Sequence, residues 1–199
     1  MIKYKLTDQK MQTYQGFQWN LGEWQEARGS SEKDLCSDGW LHCYDSPLLA
    51  VLHNPIHADI SNPRLFEVEV DGDCKNDNGI KCGYKKMRLV REISIPTITT
   101  EQKIKYAILC AKQVCFEKEW NIWADNWLSN VDRTSAYVAN AAYVVNAAYA
   151  AKAAYAATHA AAYAAYVTNA AYAAANAAIY AADAEKKINL VELAEESMK

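Results

Sequence analysis

Tyr143-Val144-Val145-Asn146-Ala147-Ala148-Tyr149-Ala150-Ala151-Lys152-Ala153-Ala154-Tyr155 decides how the second half of this chain folds. It belongs to a tract, residues 134–184, of 51 residues that include 27 Ala and 8 Tyr. Alanine has the highest helix propensity, so the tract reads as helix. It opens with a triplet rhythm: Tyr137, Asn140, Tyr143, Asn146, Tyr149, Lys152, Tyr155, Thr158. A triplet is not a helical period; each step falls back about 60°, so the large side chains wind slowly around the rod. Later the spacing changes. On one straight helix Tyr137, Tyr155, Tyr166 and Tyr180 fall within about 40° of one another, with Tyr143 and Tyr172 as a second stripe. One unbroken helix would be about 75 Å long and almost uncharged. Such a surface wants a partner. Small residues let helix axes approach closely, and Tyr rings fill gaps while keeping their hydroxyls hydrogen-bonded. The expectation is helix–helix packing, within the chain or between copies, with Tyr137, Tyr143, Tyr155, Tyr166, Tyr172 and Tyr180 at a homo-oligomer interface. A folded hairpin is the alternative topology, with Thr158-His159 and Thr168-Asn169 as soft points. A passive spacer is weighed less, and three Thr are too few for an ice-binding face.

Outward from the tract, the two halves differ. All seven Gly and all four Pro lie at or before Pro96, and none follows. A boundary is expected near Thr99. Residues 99–133 read as two amphipathic helices. Thr99 and Gln102 fit a capping box. Ile104, Ala107, Ile108, Ala111, Val114 and Cys115 share one face, and Trp120, Trp123 and Trp127 form a core stripe expected to glue the helices to a sheet. Residues 185–199 form a charged terminal helix with Ile188, Val191, Leu193 and Ala194 available for packing.

Residues 1–98 read as α+β, with a small mixed or antiparallel sheet. Met1–Leu6, Gly16–Trp19, Gly22–Trp24 and Trp40–Cys43 are strand candidates. Ser46-Pro47 opens a short helix that Asn54-Pro55 is expected to end. Leu65–Val70 is the clearest strand, closed by Asp71-Gly72; residues 73–83 read as a polar loop, and Met87–Ile95 as a further strand ended by Pro96.

The chain has 199 residues, 51% hydrophobic and 23% charged, with a formal net charge of −3. That mild acidity argues against general nucleic-acid binding. No apolar run suggests a membrane span, and the first ten residues lack the apolar core of a secretion signal. Six Cys form no C-x-x-C pair; reduced thiols are expected, and neither a metal site nor a cofactor. Cys36, His42 and Cys43 cluster but support a metal only weakly. Pro55 is expected to keep His53 and His57 off a shared helical face. No phosphate loop or nucleophile elbow is present.

Gly16-Phe17-Gln18-Trp19, Leu35-Cys36-Ser37-Asp38-Gly39-Trp40-Leu41-His42-Cys43, residues 62–72 and Met87–Ile93 resemble an uncharacterised domain found largely in tailed bacteriophages and prophages. Trp123–Ser129 and Asp132-Arg133 extend the likeness, as does a repetitive C-terminal tract. The resemblance implies a phage origin and action in the cytoplasm of the infected bacterium, and it carries no assigned activity. The Gly39–Ala50 step is more distantly similar to the strand and helix lining the NAD pocket of ADP-ribosyltransferases. That likeness implies His42, Tyr44 and Glu92 as ligand-binding residues for a nucleotide. The leading expectation is a non-enzymatic phage accessory protein that self-associates and binds or sequesters a host factor, acting against host defence. The alternatives are an NAD- or nucleotide-processing enzyme and a structural virion component.

Overall fold

The computed structural model describes residues 1–133, 148–162, 167–184 and 187–199. It is α+β: an antiparallel sheet in the N-terminal half, helices in the C-terminal half. The chain divides into two compact units, Met1–Thr97 and Ile98–Lys199.

The first unit is built on a long hairpin. β1 (Ile2–Thr7), β2 (Gln12–Thr13), β3 (Phe17–Gln18), β4 (Gln25–Glu26) and β5 (Leu41–Cys43) precede helix α1 (Pro47–His57); β6 (Arg64–Asn76) and β7 (Cys82–Ile93) follow it. The sheet runs β1-β6-β7-β4, and β5 also pairs with β7. The register sets Leu6 opposite Leu65, Phe66 opposite Glu92, and His42 opposite Gly83. β2 and β3 pair separately.

One face of the sheet carries the core: Trp19, Leu41, Cys43, Phe66, Val68, Cys82, Met87 and Leu89 are buried together. Trp19 donates its indole N–H to Thr13 Oγ1 at 3.0 Å, which satisfies the polar end of the largest core side chain. Alternate residues of β6 and β7 carry ion pairs. Arg91 donates to Glu67 and Arg88 to Glu69, each at 2.7 Å, and Arg64 donates to Glu92 at 3.0 Å.

Asp71-Gly72 does not end β6. Gly72 takes φ +80° at a register shift between Asp71 and Cys74, so it makes a bulge and the strand runs on to Asn76. The turn lies at Asn78-Gly79, both at positive φ, with Gly79 N–H donating to Asn76 Oδ1 at 2.7 Å. The expected polar loop is therefore mostly strand. The Gly22–Trp24 candidate is displaced to Gln25–Glu26, and Trp24 is exposed under the Arg88 guanidinium.

α1 starts as expected, with Ser46 Oγ accepting from Leu48 N–H and Pro47 in the first turn. It does not stop at Asn54. Pro55 removes one N–H in the last turn, and the helix continues to His57. Asn54 finishes it: its carbonyl accepts from Ala58 and Asp59, and its side chain exchanges two hydrogen bonds with Ile60.

In the second unit, α2 (Thr100–Lys112) begins with the Thr99–Gln102 capping box. α3 (Lys118–Leu128), α4 (Ala148–Ala162), α5 (Val167–Ala182) and α6 (Leu190–Ser197) follow. The alanine tract is thus two helices where it is described. α4 packs on α5, both pack on α2, and α6 packs on α2. The methyl groups make the seams: Ala153, Ala154, Ala157, Ala160, Ala170, Ala174, Ala175, Ala177, Ala178 and Ala181 are at most 1% exposed. Ile104, Ala107, Ile108 and Ala111 meet them from α2. Trp120 is fully buried, but its indole reaches α4: it donates to Thr158 Oγ1 at 3.3 Å. The contact of that indole is helix to helix, where a helix-to-sheet contact was expected. No described helix is long and apolar enough to cross a membrane.

Candidate functional site

Two places gather side chains with chemistry, one in each unit. In the first, His42 lies in β5 and Tyr44 just past its end, bridged to Tyr4 of β1; two residues apart, both project to the same side of the extended chain. Cys43 projects oppositely, into the core. α1 brings His53 and His57 over this side. The Tyr44 and His57 rings stack with centroids 6.5 Å apart, and His53 and His57 meet edge-on at 5.7 Å. The continued helix through Pro55 therefore gives the two histidines the shared face that the sequence reading denied them. Their four-residue spacing is one helical turn.

Two lysines border this cluster. Lys5 lies 7% exposed, donates to the His42 carbonyl at 2.7 Å, and holds its ammonium 4.7 Å from the Trp19 ring centre. Burial lowers its pKa to about 8. Lys81 is 6% exposed and donates to Cys36 Sγ at 3.0 Å, with Asp77 Oδ2 at 4.0 Å. Burial lowers all three histidines, His42 and His57 to about 4 and His53 to about 3; the Lys81 charge pushes each the same way. For His42, the Leu35 carbonyl that accepts from its Nε2 opposes this and is second only to burial. At neutral pH the imidazoles are uncharged rings. His57 Nδ1 is buried and has no hydrogen-bond partner among the described residues.

Glu92 is elsewhere. His42 faces Gly83 at the start of β7, whereas Glu92 lies nine residues further along the same strand, about 30 Å away at strand rise. Its carboxylate is held by Arg64, which keeps its pKa below the ordinary value. His42 and Tyr44 are brought together; Glu92 is not brought to them, because the register of β7 separates the two ends. Cys36, His42 and Cys43 do not converge either. Among the described residues no three His, Cys, Asp or Glu side chains could hold a metal.

The second place is a cavity of about 550 Å³ on the outer side of α4 and α5. Each helix contributes one stripe: Tyr155, Ala156 and His159 from α4, and Asn169, Tyr172, Ala173, Asn176 and Tyr180 from α5. The second stripe has the spacing of a single helical face. The Tyr155 and His159 rings lie 4.1 Å apart, and the Lys152 ammonium stands 5.6 Å from the Tyr180 ring centre. Tyr172 is 53% exposed. The tract has sorted itself, with methyls inward and phenols, amides and imidazole outward. Three of the expected interface tyrosines, Tyr155, Tyr172 and Tyr180, line this groove. They do so across two helices, because α4 ends at Ala162 and the straight-rod geometry does not apply. Tyr137, Tyr143 and Tyr166 lie outside the described residues.

Sequence reading missed Lys5 and Lys81. Neither carries a motif. The Asn78-Gly79 pair did carry a hairpin signal that would have placed Lys81 at the start of β7.

Residues 1–101 match the family model of a domain of unknown function, DUF7666. No curated protein and no solved structure matches the chain.

Proposed function

The chain belongs to the DUF7666 family, which assigns it no activity, and we propose that it is a self-associating binding protein whose helical unit joins two copies through the α4/α5 groove. The supporting observation is the outer face of that pair: an exposed Tyr172 stands beside a cavity also lined by Ala156 and Ala173. A ridge and a hollow on one surface are the elements of a self-complementary twofold contact. The chemistry suits this. Tyr rings bury a large apolar area while keeping a hydroxyl to bond with Asn169 and Asn176 of a second copy.

In this reading the first unit meets a ligand through the part-exposed His42 and His57, with Tyr44 and His53 buried behind them, and does not turn one over. The separation of His42 from Glu92, and the Arg64 partner of Glu92, weigh against the nucleotide-transfer alternative. The phage or prophage setting implied by the sequence resemblance belongs to this proposal. So does action in the infected cell's cytoplasm by holding a host factor.

Sedimentation velocity over a wide concentration range tests the assembly. The full chain is expected to dimerise or form a larger closed oligomer, and Tyr172→Glu to be a monomer with unchanged helical circular dichroism. A wild-type chain that stays monomeric throughout that range overturns the proposal.

A further inference from the structure

Cys36 and Lys81 come from distant parts of the first unit, 45 residues apart, and meet at 3.0 Å. The sulfur is on an exposed residue and the nitrogen on a buried one. Close approach of backbone makes this possible. Gly83, two residues after Lys81, has no Cβ; one placed there would come within 2.8 Å of the Trp40 side chain and would also strike Leu35, the neighbour of Cys36. Around the pair, His42 binds the Leu35 carbonyl, and Trp40 donates its indole N–H to the Lys33 carbonyl at 3.0 Å. Residues 33–40 are thereby held against the start of β7. Cys36 is exposed, so its sulfur is open to an oxidant from solvent. A side-chain nitrogen at that range stands where the next reaction partner of an oxidised sulfur must be.

We infer that Cys36 and Lys81 form an oxidation-triggered cross-link site, in which a peroxide oxidises the sulfur and the lysine nitrogen then bonds to it. In the first step one peroxide oxygen joins Sγ as the O–O bond breaks. The sulfur loses two electrons, the peroxide is reduced to water or an alcohol, and Cys36 becomes a sulfenic acid. In the second step Nζ gives its ammonium proton to solvent and, as the amine, attacks Sγ. The N–S bond forms, the S–O bond breaks, and the oxygen leaves as water with a proton from the nitrogen. The pair ends two hydrogens lighter than thiol plus amine. A sulfenic acid condenses with a backbone nitrogen in the same way. A thiol reductant reopens the link by attacking the sulfur. The product staples the 33–40 segment to β7 beside the histidine cluster.

The test is peptide mass mapping of the full chain after brief treatment with hydrogen peroxide. A linked peptide pair joining Cys36 to Lys81, two hydrogens lighter than its parts and lost on reduction, is expected. Cys74, the other exposed cysteine, serves as the internal control and is expected to give only sulfenic or higher acids. Cys36→Ser and Lys81→Arg are both expected to abolish the link, the second because a guanidinium is a poor nucleophile. Should Lys81→Arg fail to fold, the wild-type map and Cys36→Ser still decide. Cys36 recovered as sulfinic acid with no bond to Lys81 overturns the inference.

Discussion

Trp120 and Thr158 meet in the buried middle of the helical unit: the indole N–H donates to the threonine hydroxyl at 3.3 Å, and that hydroxyl donates onward to the Ala154 carbonyl at 2.9 Å. Methyl seams alone are slippery, since one Ala resembles the next. This polar contact distinguishes one register of α4 against α3 from its neighbours. Thr158→Val keeps the shape and strands the indole N–H. It is expected to cost about 1–3 kcal/mol in denaturant unfolding. An unchanged midpoint would remove Thr158 from that role.

The inward and outward faces of α5 predict opposite sensitivities. Ala174 is 1% exposed, so Ala174→Leu forces extra methylenes into a closed seam and is expected to cost about 1–3 kcal/mol. Tyr172→Ala is expected to stay within about 0.5 kcal/mol in dilute protein, because that ring is mostly in water. Urea titrations of the two variants compare them directly.

The histidine cluster predicts acid sensitivity. His42, His53 and His57 hold folded pKa values of about 4, 3 and 4 against 6.5 when unfolded. Between those limits the unfolded chain binds more protons, so stability is full above pH 6.5 and falls as pH drops toward 4. Unfolding free energies at pH 7.5 and 5 are expected to differ in that sense. His57→Gln is expected to flatten part of the slope.

Glu92 provides a negative control. Its bond to Arg64 is exposed, and Glu92→Ala is expected to change stability by only about 0–1 kcal/mol. If an NAD-consuming activity were found and Glu92→Ala abolished it, the binding reading of the first unit would fail.

Much of the architecture was legible in short-range chemistry. The Thr99–Gln102 box and the Ser46-Pro47 start follow from capping and stand as read; the face of α2 is wider than its period announced, since Tyr106 and Cys110 are also fully buried and Val114 and Cys115 lie past its end. The errors came where one strong local signal hid another. Gly72 has turn chemistry, yet Asn78-Gly79 has more of it, and the strand continued past the first to the second. Pro55 is a helix breaker in mid-helix, but in a last turn closed by Asn54 it removes one bond and no more. The site was less legible. Lys81 reaches Cys36 through strand register, and nothing in the spacing of those two residues announces a contact over 45 positions. The likeness implied His42 and Glu92 as parts of one site, and β7 separates them by most of its length.

The alanine seams also set how the protein responds to temperature. Alanine loses no rotamer freedom on burial, and each brings a single methyl out of water. Heat-capacity change tracks the apolar area exposed on unfolding, so per residue the α4–α5 pair contributes less of it than the Trp19–Phe66–Met87 core of the sheet. The α4–α5 seam accordingly adds the less curved share of the stability curve. On cooling, the hydrophobic term that holds the sheet core therefore fades faster, residue for residue, than the one that holds the alanine seam.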